Sequence, residues 1–187
     1  MSEHIFGVLG MTNTFFGVPK DPALLGRIAP RYSREDDGSL LRVPIKNAYN
    51  ISADYQSGGA GIISCTEDYA IFLDALACGG VGYNGNRILK EDTVRLWRTN
   101  HLKGQALEDF HQLRQGYGYG LGVRTHMEPD VSGSLSPVGE FGWDGAAGAF
   151  SMVDTDNALS FTYFQHCHNW DVAMQNKMRN ALYSCLK

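Results

Sequence analysis

The chain has 187 residues, 43% hydrophobic and 19% charged, a balance that fits one globular domain able to bury a core. A formal net charge of -4 and a pI near 5.8 argue against the basic face that a nucleic-acid partner requires. No apolar run approaches the roughly 20 residues that span a bilayer, Met1-Ser2-Glu3-His4 does not open a signal peptide, and Cys65, Cys78, Cys167 and Cys185 lack C-x-x-C pairing, so they read as thiols of a reducing, cytoplasmic compartment.

His4-Ile5-Phe6-Gly7-Val8-Leu9 reads as the end of a helix whose beginning is absent, with Gly10 as its stop. From Phe15 to Asp54 the pattern is irregular and punctuated by Pro19, Pro22, Pro30 and Pro44. It predicts one short helix at about Ala23 to Ala29, a charged turn at Arg34-Glu35-Asp36-Asp37-Gly38, and loop elsewhere. Ser64-Cys65-Thr66-Glu67 has the form of a capping box. A helix follows, with Tyr69, Phe72, Leu73 and Leu76 as one buried stripe and Gly79-Gly80 at its end. Tyr83-Asn84-Gly85-Asn86 is a turn, Glu91 to Thr99 a second amphipathic helix with Val94, Leu96 and Trp97 inward, and Gln105 to Leu113 a third.

Gly116-Tyr117-Gly118-Tyr119-Gly120-Leu121-Gly122-Val123 alternates glycine with large apolar residues and predicts a strand running on to about His126. No helix opens after these glycines, so the dinucleotide-binding reading fails. Glu128 to Val138 is a polar loop. A strand at about Gly148 to Asp154, a tight turn at Thr155-Asp156-Asn157 and a partner from Leu159 to His166 form a hairpin. Asn169 is the expected cap of the last helix, Asp171 lies in its first turn, and Met174, Met178, Ala181, Leu182 and Cys185 are its expected buried face. The fold class is α+β, with residues 1–115 as part of a helical lobe with long loops and 116–187 as antiparallel strands and a C-terminal helix, together one structural unit.

The most informative stretch is Phe141-Gly142-Trp143-Asp144-Gly145-Ala146-Ala147-Gly148-Ala149-Phe150-Ser151, followed by Met152-Val153-Asp154. Its glycines leave backbone N–H groups unshielded, which suits an oxyanion or peptide-carbonyl site. Together with Gly58-Gly59-Ala60-Gly61-Ile62-Ile63-Ser64 and Leu9-Gly10-Met11-Thr12-Asn13-Thr14, it resembles the serine β-lactamase-like family: class C β-lactamases, penicillin-binding DD-peptidases and related esterases. Val8-Leu9-Gly10-Met11-Thr12-Asn13-Thr14 matches the family's P-L-G-M-x-x-T turn with Val for Pro. The resemblance runs from Ile5 to about Ser151 and covers the later part of that catalytic domain, so it implies a β-lactamase/transpeptidase-like fold present in part. Trp143-Asp144-Gly145 stands where the family carries K-T-G, H-T-G or W-G-G, and Ala146 would donate its backbone N–H to the oxyanion. Trp143, Asp144, Gly145 and Ala146 are therefore the expected substrate- and oxyanion-binding residues. Asp144 departs from the family's Thr or Gly, and its charge is unfavourable beside an anionic β-lactam unless it points away, which favours a neutral ester or amide.

The resemblance assigns no catalytic residue to this chain. The family's S-x-x-K and tyrosine elements lie upstream of the helix in which the sequence opens. Ser184-Cys185-Leu186-Lys187 sits at a frayed terminus, and Tyr55-Gln56-Ser57 falls after the point where the family places its tyrosine. His166 and His168 share a strand face but lack the further ligands a zinc site needs, so neither metal nor cofactor is expected. Trp143 could equally be a core tryptophan under a turn; the surrounding glycines and the resemblance point to a site wall. The expectation is the C-terminal portion of a serine hydrolase that acts on an ester, amide or β-lactam through an acyl-enzyme and is inactive alone. Its partner would be the missing N-terminal half or a second copy, held along an open sheet edge, with no nucleic acid and no membrane span. The alternative is a non-catalytic binding or interaction module that retains the groove.

Overall fold

A computed structural model describes residues 1–17, 21–44, 58–59 and 61–186; Tyr55-Gln56-Ser57, Ala60 and Lys187 lie outside them. The chain opens with a π-helical turn, Ser2–Phe6, that continues into α1 (Gly7–Leu9), and Gly10 ends it in the left-handed conformation at φ 80°. There follow β1 (Phe15–Phe16), α2 (Pro22–Leu25), β2 (Arg31–Arg34), β3 (Leu40–Val43), β4 (Ile62–Ile63), α3 (Thr66–Ala77), α4 (Glu91–Arg98) and α5 (Gln105–Leu113). The second half holds β5 (Tyr117–Tyr119), β6 (Arg124–His126), α6 (Pro129–Ser132), β7 (Phe141–Asp144), β8 (Phe150–Asp154), β9 (Leu159–Tyr163), β10 (Cys167–His168) and α7 (Ala173–Ser184).

β5 to β9 form one five-stranded antiparallel sheet in chain order. Period-two alternation sorts its side chains between two helices. Phe141 and Val153 pack with Leu73, Leu76 and Ala77 of α3 and Val94 of α4, whereas Phe150 and Met152 pack with Met178, Leu182 and Tyr183 of α7. Each fully buried apolar side chain contributes about 1.5–3 kcal/mol. β10 pairs in parallel with β2, which pairs with β3, so the irregular early region carries a second small sheet.

Several local expectations need correction. The predicted strand over Gly116 to His126 is two strands, because Gly122 turns the chain at φ 80° and Gly120 lies so close to Trp97 that a Cβ there would sit 2.1 Å from its carbonyl oxygen. The polar loop from Glu128 contains α6, and the hairpin partner of β8 ends at Tyr163 rather than His166. The early helix covers only Pro22–Leu25, capped by the Asp21 carboxylate, which accepts from the Ala23 N–H at 2.9 Å. The Ser64–Glu67 capping box does not form: Cys65 is the N-cap of α3, and the Ser64 hydroxyl lies 2.8 Å from Thr14 Oγ1 instead. On α4, Leu96 is solvent-exposed while Val94 and Trp97 pack inward. Asn169 does not cap α7; its amide donates to the Arg34 carbonyl, and Asp171 accepts from the Ala173 N–H. Finally, the buried face of α7 is Gln175, Arg179 and Tyr183, while Met174, Ala181 and Cys185 are exposed.

Candidate active site

The glycine-rich stretch folds as the β7–β8 hairpin. Trp143 pairs with Ser151 and Asp144 with Phe150, and residues 145–149 make the connection. Gly142 is needed where the strands approach, since a Cβ there would lie 2.0 Å from the Ser151 carbonyl oxygen. In the turn, the Gly145 N–H donates to the Ala149 carbonyl at 2.6 Å and the Gly148 N–H to the Gly145 carbonyl at 2.9 Å. The Ala147 carbonyl accepts from the Cys167 N–H at 2.9 Å, fastening the turn to β10. Ala146 at the tip is exposed, and among the described residues nothing accepts its N–H.

Trp143 and Asp144 point to opposite faces of β7. Trp143 is 41% exposed and meets Tyr119 edge-to-face at 5.4 Å, and Tyr119 in turn meets Phe110 of α5 at 5.5 Å. This aromatic ladder holds Trp143 at the surface, so it is not a core residue. The Asp144 side chain is only 4% exposed; Arg114 holds it at 2.6 Å and Arg124 Nε lies 3.7 Å away. With its amide nitrogen turned towards the carboxylate, Gln175 of α7 also donates to Asp144 at 3.2 and 3.3 Å. Asp144 therefore does point away, into a cationic pocket, and the argument that its charge repels an anionic substrate loses its premise.

Beneath the hairpin lies a buried polar layer that sequence reasoning missed. Arg124 Nη1 donates to both oxygens of Glu140 at 3.0 and 3.1 Å, and its Nη2 donates to the Ser151 carbonyl. Arg179 Nε stands 3.8 Å from Glu140, and the Ser136 hydroxyl donates to the same carboxylate. His126 is fully buried, with Nδ1 3.1 Å from the Pro137 carbonyl and Nε2 2.7 Å from Ser132 Oγ. Burial pushes its imidazole below the usual histidine value. The legible signal was the spacing Gln175, Arg179, Tyr183 on α7, a polar stripe at i, i+4, i+8. On the opposite face of the sheet, the Tyr69 hydroxyl faces Ser151, and burial pushes that phenol upward.

The other matched segment is also built around a buried carboxylate. Asp68 of α3 accepts from the Asn13 N–H at 2.7 Å and the Thr14 hydroxyl at 2.8 Å, which pins the Leu9–Thr14 turn to the helix. His166 and His168 find no companions: among the described residues no cluster of three His, Cys, Asp or Glu side chains could hold a metal ion. Among the described residues no helix is long and apolar enough to cross a membrane. Ser184, in the terminal S-x-x-K, donates its hydroxyl to the Ala181 carbonyl at 2.7 Å.

A family model described as Beta-lactamase matches residues 1–183. Among solved structures, the chain is similar to the simvastatin synthase LovD from Aspergillus terreus (TM-score 0.79, 21% identity, covering 100% of this chain and 49% of that one). It is also similar to EstCE1, a hydrolase with promiscuous acyltransferase activity (TM-score 0.77, 19% identity, 97% of this chain and 49% of that one). A penicillin-binding protein homologue from Caulobacter crescentus matches with a TM-score of 0.56 at 16% identity, over 89% of this chain and 46% of that one. The chain thus spans about half the length of these structures, and the likeness is one of fold. No curated protein matches the sequence.

Proposed function

The chain belongs to the beta-lactamase family, and on that premise we propose that it is the C-terminal portion of a serine hydrolase or acyltransferase, supplying the oxyanion strand to a nucleophile carried elsewhere. In this reading a serine attacks an ester, amide or β-lactam carbonyl, and the Ala146 N–H receives the developing oxyanion. The leaving group departs to give an acyl-serine, which water then hydrolyses. Trp143 walls the site, Gly145 and Gly148 shape the turn, and Asp144 anchors it from behind. The single observation that carries the reading is the exposed Ala146, whose N–H has no acceptor among the described residues, in a turn where the Gly145 and Gly148 N–H groups are both bonded. The outer edge of β9 has no partner strand among the described residues, which suits pairing with further strands.

The test is intact-mass labelling with a fluorophosphonate probe. The folded chain alone is expected to take no adduct. Mixed with a complementary segment bearing an S-x-x-K helix, labelling is expected on that segment's serine, and Ala146→Pro, which deletes the N–H, slows it about 10²- to 10³-fold. A stoichiometric adduct on a serine of this chain, or an unchanged rate in Ala146→Pro, overturns the proposal; no labelling of the mixture favours the binding-module alternative.

A further inference from the structure

A cleft of about 390 Å3 opens on the α7 side of the same hairpin, within the size range of small-molecule sites. Part of its lining is polar and belongs to the turn and its neighbours. Gly148 forms it together with Gln165, whose Nε2 sits where a Gly148 Cβ would be, 1.8 Å away, and whose Oε1 accepts from the Tyr163 hydroxyl at 3.2 Å. The apolar part of the lining is made by Leu40 of the β2–β3 hairpin, Trp170, and Met174 and Met178 of α7. Leu40 is 61% and Met174 44% exposed, so large apolar side chains from separate elements converge on one cleft while facing solvent. Two methionines and a tryptophan make an adaptable wall that suits chains of varied shape. The charged residues of the lining, Arg34 and Asp171, are opposite in sign, so the cleft calls for an uncharged occupant.

We propose that this cleft binds an elongated, uncharged apolar chain, such as the alkyl or aryl arm of an ester, with the ester's carbonyl end towards Gly148 and Gln165. Its assignment as the chain-binding subsite of an acyl substrate rests on the proposed function above; the cleft's affinity for apolar molecules does not.

The direct test is titration of the intact chain with N-phenyl-1-naphthylamine, an uncharged apolar fluorophore, followed by displacement with methyl decanoate and with decanoate. One-to-one binding is expected, with the neutral ester displacing the probe at lower concentration than the acid. Leu40→Lys and Met174→Lys, both at exposed positions, should each weaken binding about tenfold or more, while Leu113→Lys, at a position 80% exposed and outside the cleft, should not. The probe titration involves no acyl transfer, so that loss of the oxyanion reading and loss of the cleft are separate results. Absence of stoichiometric binding, or equal affinity in the wild type and both lysine variants, overturns the proposal.

Discussion

Replacing Arg124 by Met tests whether the polar layer under the hairpin is held by charge. The side chains are similar in length, so packing is largely kept while the guanidinium is lost. Arg124 is 2% and Glu140 1% exposed, and without Arg124 the carboxylate keeps, among the described residues, the Ser136 hydroxyl at 3.3 Å and Arg179 Nε at 3.8 Å. Asp144 loses its buried cation as well, and the Ser151 carbonyl loses a donor. Stranding a buried carboxylate in this way costs about 3–5 kcal/mol. That is a large part of the roughly 5–15 kcal/mol that stabilises a typical domain. Urea unfolding followed by circular dichroism should show a midpoint lowered by about 1 M or more at unchanged slope. The double variant Arg124→Met/Glu140→Leu removes both charges and should recover at least half of the loss. A loss below about 1 kcal/mol in the single variant, or a double variant no better than the single, refutes the reasoning.

Gly142→Ala places a Cβ 2.0 Å from the Ser151 carbonyl oxygen, a backbone atom of the paired strand, so it should lower stability by about 3 kcal/mol and be readily visible by thermal melting; a wild-type melting temperature would contradict the close approach. Burial pushes the Tyr183 phenol well up, and its bond to Asp154 adds to the shift, so the folded value lies above the unfolded one. The associated stability is fully present below about pH 10 and is lost as pH rises through the folded value; Tyr183→Phe should flatten this alkaline decline in melting temperature. Asp68→Ala removes the acceptor of the Asn13 N–H and the Thr14 hydroxyl and should cost about 2 kcal/mol, with faster hydrogen exchange at Asn13 as the specific readout.

Elements dictated by local pattern were legible in the sequence. The α3 stripe follows from the 3.6-residue period, Gly10 stops the first helix as expected, and α5 covers the predicted Gln105–Leu113. The Beta-lactamase match bears out the resemblance. What failed depended on partners distant in sequence. Arg179 and Gln175 are buried because Glu140 and Asp144, more than 30 residues earlier, sit opposite them, so of the face that hydrophobicity points inward only Met178 and Leu182 reach the core, while Met174, Ala181 and Cys185 stay exposed. Ser64 was given to a local cap, yet Thr14, 50 residues away, engages its hydroxyl. The alternating glycines of Gly116–Val123 fitted a strand in period, but only the packing of Gly120 on Trp97 reveals the bend. Asp144 was recognised as a departure, while Arg114 and Arg124, which neutralise it, carry no local signal.

An ¹H–¹⁵N correlation spectrum of the chain titrated with methyl benzylphosphonate decides whether the Ala146 N–H is an oxyanion donor. This monoanion mimics the charge and tetrahedral shape of the acyl-transfer intermediate. The account predicts that the Ala146 amide moves downfield with the largest shift, that Gly145 and Ala147 follow, and that Ala146→Pro abolishes saturable binding. A stationary Ala146 resonance, with the largest shifts elsewhere or none, would contradict it.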